Sequence, residues 1–227
     1  MIIGTICDVT NKEDLTQLGQ FALEEFGKID IWINNAGTKG NQAGNLSEIQ
    51  EKGVRLPIET NLIGTLLGTQ AALEIMLKQK DLKHENTTQK GFGKIFNMEG
   101  LGSNGRASPE NIAYGASKAA LPQVLKTLKK ELEGTGILIN NISPGMVLTD
   151  LLLENNQDRS QKKLWKIVNI LAEKPETVAE FLVPRMKKVK KSGKRIQFLT
   201  NFKAAIRFMT WWRYKNRWFD EEGKRKF

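Results

Sequence analysis

An alternation in the sequence most restricts how this chain can fold. Short apolar runs, each closed by small or polar residues, take turns with longer stretches whose apolar residues recur every three or four positions. Residues 2–9 form the first run, with Asp8 at its end. Thr10 followed by Glu13 has the pattern of a capping box at a helix start. Leu15, Leu18, Phe21, Ala22 and Phe26 then keep helical spacing, and Gly27 ends the helix. Residues 29–33 read as a second strand running into Asn34-Asn35-Ala36-Gly37, and a long helix is expected over about 54–78, carrying Asn61. A polar insert follows over residues 79–90. The strand at 94–98 leads into a glycine-rich loop, 100–105. A helix over 119–132 is opened by Tyr114-Gly115-Ala116-Ser117-Lys118, and a last strand, 137–142, is closed by Ser143-Pro144-Gly145. Strands alternating with helices predict an α/β fold around a parallel sheet. Ligands of such sheets bind beyond the C-terminal strand ends. Asp8, residues 34–37, residues 100–103 and Pro144-Gly145 all fall at such ends.

Composition narrows the classes. The 227 residues predict one domain with an appendage. A single cysteine, Cys7, excludes an internal disulfide and supplies no cysteine cluster for a metal. The single histidine, His84, lies in a polar stretch and reads as a loop residue. No run of eighteen apolar residues predicts a spanning helix, and no signal or transit pattern is read at the N-terminus. Charge is unevenly placed. Residues 1–184 carry 20 Lys and Arg against 22 Asp and Glu, and residues 185–227 carry 15 against 3. The basicity of the chain therefore belongs to its tail.

Tyr114 and Lys118 stand four residues apart, which puts them on one helix face. A phenol titrates near 10 and is a poor acid at neutral pH. A neighbouring ammonium favours the phenolate and is expected to lower that value, making the pair a proton donor to a carbonyl oxygen. A surface Tyr and Lys on a solvated helix is the alternative.

In their order and spacing, these segments resemble the short-chain dehydrogenase/reductase family. Asn34-Asn35-Ala36-Gly37 matches its NNAG motif, Asn61 its helix asparagine, Tyr114 and Lys118 its YxxxK pair, and Pro144-Gly145 with Thr149 its PG…T segment. Asp8 matches the acidic strand end that touches adenine. The resemblance covers residues 1 to about 184. It implies a Rossmann-type doubly wound parallel sheet. Phe96-Asn97-Met98-Glu99-Gly100, residues 143–152, residues 175–179 and Val183-Pro184-Arg185 look like the chlorophyll b reductases. That narrower resemblance implies an NADPH-dependent reduction of the 7-formyl group of chlorophyll(ide) b to hydroxymethyl, at a thylakoid surface in the chloroplast. A short-chain reductase of another carbonyl or alcohol, in the cytoplasm, is the alternative. So is a non-catalytic member that binds a membrane or a second subunit.

The resemblance also implies roles. Tyr114 would protonate the carbonyl oxygen, and Lys118 would hold the nicotinamide ribose. Asn61 would anchor a relay water. Asn35, Ala36 and Gly37 would line the adenine ribose. Thr149, after the Pro144-Gly145 turn, would meet the carboxamide. Each motif also has a plain reading: a turn at 35–37, a turn at 144–145, and a buried polar group at Asn61. The chain departs from the pattern in two places. The family's carbonyl-orienting serine falls where Leu101 stands, thirteen before Tyr114, with Glu99 and Gly100 beside it. Ser103, eleven before, is the nearest hydroxyl and the candidate, a turn-capping serine being its alternative. The TGxxxGxG turn that cradles a pyrophosphate is also absent from the sequence, and roughly 45–60 residues of a first β-α-β unit are expected to be missing.

Residues 185–227 form a basic, aromatic tail. Phe198, Phe202, Ala205, Ile206, Met209 and Trp212 recur at helical spacing, with Lys203, Arg207, Arg213 and Lys215 elsewhere around the helix. Such a helix lies in a membrane interface or packs on the body or a partner subunit. No nucleic-acid motif accompanies it, and nucleic acid is not an expected partner. The expected organisation is thus a reductase domain at 1–184 and a tail at 185–227, assembled as a homo- or hetero-oligomer with a related reductase.

Overall fold

The computed structural model describes residues 1–40, 44–82, 92–153 and 162–226. His84 and most of the polar insert lie outside the described residues. The elements in order are α1 (Lys12–Phe26), β1 (Ile31–Asn34), α2 (Glu51–Ile58), a π-helical turn (Glu59–Ile63), α3 (Gly64–Leu82), β2 (Gly93–Met98), α4 (Ile112–Glu131), β3 (Ile137–Ser143), α5 (Asp150–Leu153), α6 (Lys162–Leu171), α7 (Pro175–Lys188), β4 (Arg195–Gln197), α8 (Asn201–Met209) and a 3₁₀ turn (Trp211–Tyr214). The strands form one sheet in the order β1-β2-β3-β4, and β1, β2 and β3 pair in parallel. This is the expected α/β, Rossmann-like arrangement.

Packing groups the chain into two compact units, residues 1–142 with 189–195 and residues 143–188 with 196–227. The expected division at 184/185 describes segments of the chain rather than packing, and it is carried forward as a proposal.

The first unit is built on β1, β2 and most of β3. Its core joins Trp32, Ile95, Ile137 and Ile139 of the strands to Leu15 of α1, Met76 of α3 and Leu125 of α4. Helix α1 starts one residue later than the capping pattern suggested. Asn11, not Thr10, is the N-cap, and its side chain accepts from the N–H groups of Glu13 and Asp14. Thr10 instead donates to the Asp8 carboxylate through both its N–H and its hydroxyl, each at 2.8 Å. Gly27 closes the helix in the left-handed region, as expected. The expected strand at 2–9 does not form, and Ile2 and Ile6 are almost fully exposed. A strand exists only through its ladder, and among the described residues the outer edge of β1 carries none. Beside β1 lies an apolar groove of about 700 Å³, lined by Leu15, Leu18, Ala22, Trp32, Asn35 and Ala36 among others.

The second unit packs around Leu148, Trp165, Val168, Ala172, Trp218 and Phe219, with Trp165 and Phe219 stacked at 4.2 Å. Its polar centre is Glu173. Arg207 meets this carboxylate at 2.7 Å, and Arg217 is its second partner. This overturns part of the expected tail. Helix α8 is capped by Thr200 and spans only Asn201–Met209, and Phe198 lies ahead of it, buried. Arg207 is buried as well, and Lys203 stands 3.7 Å over the Phe198 ring. Phe202, Met209 and Trp212 are exposed at 76, 65 and 61%. The helix therefore turns two cations inward and its large apolar side chains outward. No helix among the described residues is long and apolar enough to cross a membrane.

Burial alone raises the Glu173 carboxyl, but hydrogen bonds and charge from Arg207 and Arg217 hold it below its ordinary value. A carboxyl lowered in the folded state stabilises the fold at neutral pH, and that stability is lost as pH falls through the carboxylate range. Glu173→Gln leaves Arg207 buried without a counter-charge. It should lower the unfolding free energy by about 3 kcal/mol in a denaturant titration at pH 7, with a smaller difference at pH 4.

Candidate active site

Three segments of the first unit meet at α4: the loop after β1, the π-helical turn, and the loop after β2. Asn61 stands in the π turn, a distortion that is frequent at functional sites. Its side chain is fully buried. The amide donates to the Thr38 carbonyl at 2.9 Å and to Ser117 Oγ at 3.0 Å, and its oxygen accepts from the Thr38 N–H at 2.8 Å. Ser117 in turn donates to the Tyr114 carbonyl at 2.7 Å. Asn61 thus fastens the loop after β1 to the turn of α4 that carries the tyrosine. Both its amide protons are engaged in this clamp, and its main-chain carbonyl accepts from Thr65 Oγ1 at 2.8 Å.

Tyr114 and Lys118 share one face of α4, and both are buried. They flank Gly100. A methyl group built at Gly100 would lie 2.3 Å from Tyr114 Oη and 3.3 Å from Lys118 Cγ. Two residues on, Gly102 adopts φ +98°, and a methyl there would lie 2.6 Å from the Gly115 carbonyl oxygen. The loop is glycine-rich because its backbone lies against α4 where a side chain has no room. Lys118 Nζ donates to the Met98 carbonyl, the end of β2, at 3.0 Å. On its other side is Gly37, where a built methyl would lie 3.5 Å from Nζ and 3.1 Å from Asn61 Oδ1. The NNAG loop and the YxxxK pair are therefore adjacent, with Asn35, Ala36 and Gly37 exposed.

Burial sets the ionisation of the pair. It lowers the Lys118 ammonium to about 8, while the Glu99 charge acts in the opposite direction. It raises the Tyr114 phenol above its ordinary value. The expected lowering of Tyr114 by its lysine is not what this geometry gives. The ammonium points to a main-chain carbonyl, and loss of solvent dominates at the phenol.

Ser103 is buried in the loop after β2. Its hydroxyl accepts from the Gly100 N–H at 3.1 Å and donates to the Lys118 carbonyl at 3.0 Å. That proton closes the loop onto α4, which matches the turn-capping alternative. The sequence reading assigned no role to Ser117, Thr38 or Glu99. Ser117, three residues after Tyr114, was legible as a same-face neighbour. Asp8 is exposed, and its carboxylate closes the turn into α1 through Thr10. Pro144, Gly145 and Thr149 belong to the second unit. There, a methyl at Gly145 would lie 2.6 Å from Leu199 Cβ, and the Thr149 carbonyl accepts from the N–H groups of Leu152 and Leu153.

A buried tyrosine–lysine pair thus stands at the end of a strand of a parallel sheet, where ligands of such sheets bind. A sequence model of the short chain dehydrogenases matches residues 1–160, and the chain belongs to that family. "Probable chlorophyll(ide) b reductase NYC1, chloroplastic" of Oryza sativa subsp. japonica is 43% identical over 224 residues, 98% of this chain and 41% of that protein. "Chlorophyll(ide) b reductase NOL, chloroplastic" of Arabidopsis thaliana is 36% identical over 214 residues, 91% of this chain and 58% of that protein. The chain thus spans between about two fifths and three fifths of these relatives. A solved 3-ketoacyl-(acyl-carrier-protein) reductase from Brucella melitensis, complexed with NADH, superposes with a TM-score of 0.67 at 23% identity, over 87% of this chain and 76% of that one. It shares the fold.

Two outcomes follow from the packing. Gly100→Ala drives a methyl into Tyr114 Oη. It should destabilise the protein by about 1–3 kcal/mol in denaturant unfolding. Lys118→Met removes a buried cation. A lysine lowered from 10.5 to about 8 in the folded state destabilises the fold at neutral pH by an amount on the order of 3 kcal/mol. That penalty fades as pH rises from about 8 to 10.5. The variant should melt higher than the parent at pH 7 and lose that advantage by pH 10.5.

Proposed function

We propose that this chain is the reductase portion of an NADPH-dependent carbonyl reductase that converts the 7-formyl group of chlorophyll(ide) b to hydroxymethyl. The observation that carries this reading is the buried Tyr114–Lys118 pair packed on Gly100, in a chain 43% identical over almost its whole length to a protein bearing that name. NADPH over NADH, and this substrate over another carbonyl, follow from the resemblance to the chlorophyll(ide) b reductases.

The residues fit a nicotinamide cofactor. The exposed backbone of residues 35–37 lies next to Lys118 Nζ, and Gly37 leaves open the space a side chain would fill. Lys118 and the NNAG residues Asn35, Ala36 and Gly37 would hold its riboses, with Pro144, Gly145 and Thr149 at the carboxamide and Asp8 at the adenine end. When bound, the cofactor supplies the hydride. Burial keeps the Tyr114 phenol protonated, so it holds the proton that the carbonyl oxygen requires. The Lys118 charge then stabilises the phenolate left behind. Asn61 fixes the geometry by tying Thr38 to Ser117. Ser103 shapes the loop against α4 through Gly100 and Lys118.

The proposed organisation is a reductase domain at 1–184 and a tail at 185–227. The names of both plant relatives include "chloroplastic", and the chloroplast is the proposed location. The exposed Phe202, Met209 and Trp212, with Arg213 nearby in the chain, support peripheral contact with a thylakoid surface. A homo- or hetero-oligomer with a related reductase completes the proposal.

The test is oxidation of NADPH by the purified protein with chlorophyllide b, beside NADH and beside Tyr114→Phe. Formation of the hydroxymethyl product, at least 100-fold slower in Tyr114→Phe, is the expected result. A folded, NADPH-binding protein with no turnover would remove the chlorophyll(ide) assignment. A folded protein that binds no nicotinamide would remove the reductase reading itself.

A further inference from the structure

Glu99 has no role in the proton path above, yet both its chain neighbours touch that path. It follows Met98, whose carbonyl receives the Lys118 ammonium, and precedes Gly100, against which Tyr114 and Lys118 pack. Its side chain is 1% exposed. A carboxylate so far from water must be met by donors or charges. Asn141 of β3, itself fully buried, donates to Oε1 at 3.0 Å. Arg195, at the start of β4, pairs with Oε2. The N–H of Glu99 donates to the Ile142 carbonyl at 2.8 Å, which fixes its backbone to β3.

Among the described residues, the other groups placed against the lysine and its clamp carry no charge. The loop after β1 contributes Gly37, the π turn contributes Asn61, and α4 itself contributes Tyr114 and Ser117. Burial lowers the Lys118 ammonium, and the nearby Glu99 carboxylate opposes that lowering. Arg195 is 36% exposed along its side chain and competes for that carboxylate from the solvent side.

We propose that Glu99 is a positioning residue for the active-site lysine: a clamped negative charge that keeps Lys118 protonated, with Arg195 setting how much of that charge the lysine feels. The carboxylate stands two residues before Leu101, the position of the family's hydroxyl, and acts through Lys118 and not on the substrate. This inference rests on the reductase reading for its consequence in catalysis, but not for the electrostatic coupling itself.

The coupling has a sign that a merely structural ion pair lacks. Glu99→Gln removes the negative charge and leaves Arg195 positive, so the Lys118 ammonium should lose its proton at lower pH. Arg195→Gln frees the carboxylate, so the ammonium should lose its proton at higher pH. Glu99→Asp keeps the charge and should stay close to the parent. The readout is the lysine side-chain resonance in the intact chain labelled with ¹³C and ¹⁵N, assigned by its loss in Lys118→Met and followed against pH. Displacements of about one pH unit, opposite in direction for Glu99→Gln and Arg195→Gln, are the expected result. Unmoved midpoints, or displacements of the same direction in folded variants, would overturn the proposal. If Glu99→Gln does not fold, Arg195→Gln and Glu99→Asp decide it.

Where the protein turns over, the alkaline limb of its pH–rate profile should follow the same order, falling earliest in Glu99→Gln. Opposite displacements in a protein without turnover would keep the coupling and reject the reductase reading. Turnover with unmoved midpoints would do the reverse.

Discussion

A lysine ammonium held out of water has to be met from several directions, and Lys118 imposes that condition on the whole first unit. Its nitrogen needs an acceptor, which is the last carbonyl of β2. Its aliphatic stem needs a surface, which is the backbone of Gly100. Its charge needs an opposite charge, which is Glu99. Each requirement fixes a different piece of chain. Together they set where β2 ends, how closely the next loop approaches α4, and why that loop is made of glycines. Asn61 completes the frame on the far side by holding the loop after β1 to Ser117, one residue before the lysine.

The support for this site runs through the sheet. Strands of a parallel sheet are usually apolar, because both faces are covered. Here Asn34, Asn97 and Asn141 occupy one register row across β1, β2 and β3. Asn34 donates to Asn97 at 2.8 Å, and Asn141 donates to Glu99 at 3.0 Å. The atoms left over are the amide nitrogen of Asn97 and the amide oxygen of Asn141, a donor and an acceptor on paired strands. A polar row of this kind stabilises less than leucines would, but it specifies register, since a slip of one residue would bury amides against the wrong face. The row ends at the carboxylate under the lysine, so the register of the sheet and the charge of the site are held by the same side chains.

Much of this was legible in the residues. The alternation of strands and helices gave the α/β class, because burying one face of each element leaves few arrangements. The four-residue spacing of Tyr114 and Lys118 gave their shared face, and Gly27 gave the end of α1. The misses have physical causes. Residues 2–9 have strand composition but form no ladder with the open edge of β1, and pairing decides. Thr10 and Asn11 both suit an N-cap, and the Asp8 carboxylate took Thr10 and left Asn11 free to cap. Ser103 lay near the expected place in sequence, but the loop curls so that its proton reaches the Lys118 carbonyl. The phenol was expected to be lowered because spacing shows a neighbour's charge and says nothing of the solvent that burial removes.

The second unit shows the same limit of pattern reading in its energetics. Helical spacing places Phe202, Met209 and Trp212 on one face of the tail, and the usual inference turns that face inward. The structure turns it outward because the opposite face carries a stronger demand. Glu173 is buried, and a buried carboxylate without partners costs several kcal/mol. Arg207 is the residue of α8 that meets it, with Arg217 closing the other oxygen. Lys203 follows onto the Phe198 ring, where a cation and an aromatic face attract each other. Burying three apolar side chains would gain about 2 kcal/mol each. That gain would require stripping Glu173 of Arg207, and it is available instead from any apolar surface that the exposed face meets outside this unit. An ion pair therefore sets the rotation of the helix, and that rotation sets which surface the tail presents.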